Sequence, residues 1–206
     1  MDNALYINIF ILISLILTAG YFLGRKKNRA IAASAINSLL KVMNPEKQEI
    51  TNIGGLVGYH VRMRFDGGKA EEARGTITML PRHSLLYLPV SRIFRRFDRF
   101  FITIKLKSLP VEKKARLFEK RFCNKHRKDA GNNMQVKTIS RGGGEFLIFH
   151  ETGCGLVFLQ DLLSAVENPN KLKEVSVLPE KGVIEILVVP SAGDNRVIET
   201  VIRTVI

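Results

Sequence analysis

Four short stretches carry residue types able to do chemistry. Gly153-Cys154-Gly155 sets a thiol between two small residues, the setting of an exposed nucleophile. A cysteine nucleophile needs a base in reach, and spacing ties no His–Asp arrangement to Cys154. Cys123-x-x-His126 is half of a metal site. A full zinc site needs about three or four ligands, and His60, His83, His150 and Cys154 form no second pair at ligand spacing. Gly142-Gly143-Gly144 lacks the Lys-Ser/Thr of a phosphate loop and reads as a turn. The carboxylates are scattered, without the paired pattern of a hydrolase. The residues therefore predict no catalytic centre, no metal and no cofactor, with Cys123 and Cys154 as free thiols.

The fourth stretch is a block of charge. The chain carries a net charge of +13, and between Arg82 and Lys128 there are 15 Lys/Arg against Asp98, Glu112 and Glu119. The remainder is close to balance, with 17 basic and 16 acidic residues. Such a block favours a polyanionic partner: anionic lipid head groups, RNA or an acidic protein. The candidate polyanion-binding residues are Arg92, Arg95, Arg96, Arg99, Lys113, Lys114, Arg116, Lys120, Arg121, Lys125, Arg127 and Lys128.

These residues must be positioned by the elements around them, and the dominant element is the run Ala4 to Leu23, which has no charged residue. At 1.5 Å per residue, roughly 20 apolar residues cross a hydrocarbon core about 30 Å thick. Arg25, Lys26, Lys27 and Arg29 come directly after it, and only Met1-Asp2-Asn3 precedes. A cleavable signal would open on basic residues, so the order predicts an uncleaved anchor. The positive-inside rule places Arg25 and the rest of the chain in the cytoplasm and the amino end outside. The expected organisation is a transmembrane anchor over 1–24, a juxtamembrane basic helix over 25–45 and a cytosolic domain over 46–206. Ile36, Leu39, Leu40 and Met43 continue the helical period, so one long helix is expected to end at Asn44-Pro45.

Beyond it, Val57 to Phe65 alternates as a half-buried strand, and Gly75 to Leu80 is its hairpin partner across a loop near Lys69 to Glu72. Pro89 stands near the start of a short helix in which Ile93, Phe94 and Phe97 fall together among Arg92, Arg95, Arg96 and Arg99. That helix is expected to pack by its apolar face, with a membrane-surface helix or a base-stacking element as alternatives. Phe100 to Lys107 is a third strand. Pro110 to about Lys128 reads as the most basic helix, with Ala115, Phe118 and Phe122 inward. Strands at Met134–Ser140 and Glu145–His150, a helix at Leu156–Glu167, a hairpin at 173–189 and a last helix at Arg196–Thr204 capped by Asp194 complete the chain. The pattern predicts an α+β domain of mainly antiparallel sheet with helices on one face, or two small ferredoxin-like lobes.

The membrane exit Tyr21-Phe22-Leu23-Gly24-Arg25-Lys26-Lys27-Asn28-Arg29-Ala30-Ile31-Ala32 resembles that of the calumin-like family, coiled-coil-domain proteins of the endoplasmic-reticulum translocon's PAT complex. The segment from Ser84-Leu85-Leu86 to Arg96, the strand Ile102-Thr103-Ile104-Lys105, and Ile186-Leu187-Val188-Val189-Pro190-Ser191-Ala192-Gly193 with the final helix come in the family's order. The resemblance implies an α+β cytosolic domain beside the protein-conducting channel, working with a membrane chaperone in the insertion of multi-spanning proteins. It departs at both ends, where the family has an acidic region ahead of the span and a basic, ribosome-reaching coiled coil. Ribosomal RNA would then fall to the Arg92–Lys128 block. The expected function is a non-enzymatic translocon accessory factor in a prokaryotic cell membrane or the endoplasmic reticulum. The alternatives are a module binding anionic lipid, or a scaffold for another membrane complex.

Overall fold

A computed structural model of the protein describes residues 3–95, 97–123 and 134–206. It is an α+β structure in which one long apolar N-terminal helix precedes a nine-stranded, wholly antiparallel sheet. The helix, α1, runs unbroken over Asn3–Met43. It stops where Asn44 turns left-handed at φ 42° and donates its N–H to Leu40 O, a conformation Asn tolerates better than most residues.

The strands are β1 (Lys47–Asn52), β2 (Gly58–Arg64), β3 (Ala70–Thr78), β4 (Arg99–Leu106), β5 (Ala115–Glu119), β6 (Gln135–Arg141), β7 (Gly144–His150), β8 (Leu172–Leu178) and β9 (Val183–Val188). Their order across the sheet is β1-β2-β3-β4-β9-β8-β5-β7-β6. The helices after α1 are α2 (Leu88–Arg95), α3 (Lys120–Cys123), α4 (Gly153–Ala165) and α5 (Arg196–Val205). The register lines up Val61, Gly75, Ile102, Ile186, Val175, Leu117 and Ile148 from strand to strand. One core contains most of that row together with Ala35, Ile36 and Leu39 of α1, Leu159 and Leu162 of α4, and Val201 and Ile202 of α5. A second, smaller cluster joins Phe118 and Phe149, edge to face at 5.9 Å, with Phe122, Met134 and Leu147.

Three expectations are corrected. The helix expected over Pro110–Lys128 is, in its described part, strand β5 followed by the short α3; residues 124–133 lie outside the described residues. The spacing of Ala115, Phe118 and Phe122 imitates a helix because β5 pairs with β7 and β8 and buries side chains on both sides. Ala115 and Leu117 enter the main core and Phe118 the second cluster, so the strand shows no clean alternation. β3 begins at Ala70, so the hairpin turn falls at 65–69, and β1 occupies a stretch where no strand was expected. The two-lobe alternative gives way to a single sheet.

Candidate membrane and polyanion interface

The junction between the apolar and docked halves of α1 is built on Asn28. Its side chain is fully buried, and Nδ2 donates to the carbonyls of Leu56 and Leu80, both at 2.9 Å. Its Oδ1 accepts from Arg82 Nη1 at 3.0 Å. Arg82 in turn grips Asp98 through both guanidinium nitrogens, at 2.9 and 2.6 Å, and Asp98 Oδ1 accepts the Leu80 N–H at 2.8 Å. A buried charge needs a partner and a full set of hydrogen bonds, and this network supplies both where α1 meets the sheet. Gly24 lets the Arg82 backbone approach closely, since a Cβ there would lie 2.2 Å from the Arg82 carbonyl oxygen. Further along, Ser34 accepts from Asn195 Nδ2 at 2.9 Å, and Asn195 Oδ1 holds the Ser191 N–H at 2.9 Å, fastening α1 to the start of α5.

These contacts fix the direction of α1. Asn28 lies beside Leu80 and Leu39 beside Gly75. Eleven helical residues rise about 16 Å and five strand residues span about 17 Å, so the helix runs along the strands. The sheet therefore has one end near Leu80, from which the apolar half of α1 departs, and an opposite end.

The sequence-predicted basic residues divide between these ends. Arg25, Lys26, Lys27 and Arg29 surround the exit of α1. Arg92 and Arg95 are on α2, which connects β3 to β4 at that same end, and Arg99 opens β4 there. Lys120 and Arg121 come after the end of β5, which the register places at this end too. Lys113 and Lys114 precede β5 and lie at the opposite end. Arg116 is in the middle of β5, its guanidinium 6.0 Å from the centre of the Phe118 ring. Arg96, Lys125, Arg127 and Lys128 lie outside the described residues. Lys120 is paired with Glu145 at 2.8 Å, and Arg99 stands over the Phe97 ring at 5.6 Å.

The sequence reasoning missed Lys69, Lys107 and Lys181, which join Lys113 and Lys114 at the far end. The Lys107 N–H donates to Lys69 O, the Leu106 N–H to Gly182 O and the Glu151 N–H to Lys114 O, tying the neighbouring turns together. Lys69, Lys107, Lys113 and Lys181 are all exposed. Their signal was available only as positions flanking strand ends. On the sheet itself charge is compensated: Arg62 and Arg74 meet Glu72 at 3.3 and 3.0 Å, and Lys105 meets Glu71 at 2.7 Å. The Arg74 hydrogen bond pulls the Glu72 carboxyl below its ordinary value, and Glu71 holds Lys105 above its own.

The expectation that α2 packs by its apolar face is overturned. Among the described side chains of α2, Ser91 is buried, whereas Ile93 and Phe94 are 74% and 77% exposed and Leu86, just ahead of the helix, 78%. The neighbouring residues Leu85 and His83 lie against α1: a Cβ at Gly20 would meet Leu85 Cδ1 at 2.2 Å, and the His83 and Tyr21 rings meet edge-on at 6.0 Å.

The remaining chemical candidates are tied up or stand alone. His60 Nδ1 hydrogen-bonds Thr76 Oγ1 at 3.0 Å, and His150 Nδ1 donates to the Thr152 carbonyl at 3.1 Å. Cys154 is exposed at the start of α4, and His126 lies outside the described residues. Among the described residues, no three His, Cys, Asp or Glu side chains gather closely enough to hold a metal ion. The fold and interface define an α+β protein with one N-terminal helix long and apolar enough to cross a membrane, by length and composition. No protein-family model matches the chain, and no curated protein matches it.

Proposed function

We propose that the chain is a non-enzymatic, single-span membrane protein whose α+β domain stands on the cytosolic side, its arginine-bearing end against anionic lipid head groups. The observation that carries this reading is the continuity of α1. Its first half is apolar and bare, its second half is fastened along the strands, and Arg25, Lys26, Lys27 and Arg29 mark the change. With α1 as the span, the strands stand along the membrane normal. Arg92, Arg95, Arg99 and Arg121 then come to the head-group level, where each basic group adds about 1 kcal/mol of attraction. The basic exit sets the amino end outside. The docked part of α1, α4 and α5 cover one face of the sheet, consistent with their shared core. The test uses full-length protein with Cys123→Ser and Cys154→Ser in nanodiscs, with a donor dye at Arg121→Cys or Lys113→Cys and an acceptor on the head groups. Energy transfer from position 121 should exceed that from 113 in anionic discs; equal transfer would contradict the reading.

A second reading is favoured by the far-end lysines. Lys69, Lys107, Lys113, Lys114 and Lys181 would point away from the membrane, where a ribosome docked on a channel presents RNA. Together with the resemblance to calumin-like proteins, this supports an accessory factor of the translocon that assists insertion of multi-spanning proteins beside a protein-conducting channel or membrane chaperone. Phosphate contacts release counterions, so binding should weaken steeply with salt. Co-sedimentation with ribosomes should fall on combining Lys113→Glu, Lys114→Glu and Lys181→Glu. Unchanged recovery would count against it.

A further inference from the structure

We infer that α2, with Leu85 and Leu86 ahead of it, is a second membrane element: an in-plane helix seated in the anionic leaflet from which α1 emerges. The inference rests on the reading of α1 as the span and adds to it the depth and attitude of the domain.

The periodicity of the segment is the first argument. At 100° per residue, Leu86, Tyr87, Val90, Ile93 and Phe94 fall within one stripe of about 120°, and Arg92 falls on the opposite side. All five apolar residues are exposed, while Ser91, off the stripe, is buried. A helix packed on its own domain buries its apolar stripe; this one turns it outward. That arrangement suits a helix lying in a membrane interface.

The level of the helix is the second argument. Leu17, Thr18 and Tyr21 of α1 line a common recess with His83, Ser84, Leu85 and Leu86, and Leu85 meets Gly20. Counting back from Leu23, the end of the apolar run, Gly20 lies about 5 Å and Leu17 about 9 Å below it at the helical rise. Interfacial helices bury their apolar face about 5–10 Å into the boundary between head groups and acyl chains. The approach to α2 is thus held at the depth such a helix occupies, and its exposed stripe continues the bare apolar surface of α1.

Charge completes the case for an anionic leaflet. Arg25, Lys26, Lys27 and Arg29 come within two helical turns of the apolar run, and Arg92 is exposed on the polar side of α2. Among the described residues, the Arg25 Nε and His83 Nδ1 atoms are buried without hydrogen-bond partners at this level. Long basic side chains reach from such positions to head groups.

The test uses the full chain with Cys123→Ser and Cys154→Ser, reconstituted in vesicles of phosphatidylcholine and phosphatidylglycerol. A polarity-sensitive dye is placed in turn at Phe94→Cys, Leu12→Cys in the span and Lys181→Cys at the far end, with circular dichroism confirming that each variant folds. Quenching by a nitroxide near the carbonyl end of the acyl chain should be several-fold stronger at 94 than at 181, and aqueous iodide should show the reverse order. If position 94 behaves like 181 while 12 stays in lipid, the in-plane helix is wrong and the span survives. If 12 is also reached by iodide, the reading beneath it fails. Shielding of 94 from both quenchers means that protein covers the stripe, and this too overturns the inference.

Discussion

Asp98 illustrates how single residues hold the junction. It is buried, it satisfies the Leu80 N–H, and it neutralises Arg82, whose guanidinium also donates to Asn28. Asp98→Ala strands a buried guanidinium, and breaking such a pair costs about 3–5 kcal/mol. Denaturation of the full chain in micelles should show a loss of that order; an effect near zero would remove the network from the account. Asp194 acts more gently at the start of α5. The Arg196 side chain and then its backbone N–H hold this carboxyl below its ordinary value. A depressed carboxylate contributes stability that is complete above its unfolded value and lost as pH falls through the folded one. Asp194→Asn should therefore destabilise at neutral pH, and the gap to wild type should close in acid. The sequence pointed to Asp194 as the cap of α5, but Asn195 holds the N-cap position and Asp194 Oδ1 accepts the Arg196 N–H from the residue before it. The sequence held no sign of Asn28, because a buried amide within a basic run looks like any other polar residue until Leu56, Leu80 and Arg82 surround it.

At the scale of elements, legibility followed periodicity. α1 could be read directly because an uncharged apolar run passes without a break into a helical period, and β4 because its buried and less buried residues alternate. β5 could not, because pairing on both edges and burial on both faces erase the alternation that identifies a strand. α2 was found as a helix, but its direction was misjudged: a wheel shows that a stripe exists without showing what lies opposite it. The seat of residues 82–85 on α1 depends on two glycines of different character. At Gly20 a methyl group would meet the end of the Leu85 side chain, which can turn aside. At Gly24 it would meet the Arg82 carbonyl backbone at 2.2 Å. Gly24→Ala should therefore cost about 3 kcal/mol, as overpacking does, and Gly20→Ala distinctly less. Thermal unfolding of the two variants checks the order, and equal losses would contradict the docking of residues 82–85.

For the whole molecule, the basic block divides once the chain is folded. A linear count from Arg82 to Lys128 merged residues that the sheet sends to opposite ends and omitted Lys69 and Lys181, which the turns bring beside Lys107. Charge count along a chain cannot foresee this, because strand reversal decides which end each turn occupies. The account then depends on α1 as both span and mast. Spin labels at Leu5, Leu12, Phe22 and Lys27 of the reconstituted full chain, read for accessibility to oxygen and to a water-soluble nickel complex, test this most directly. The account predicts an oxygen maximum at position 12, intermediate values at 5 and 22, and nickel access at 27. Nickel access at all four positions would contradict it.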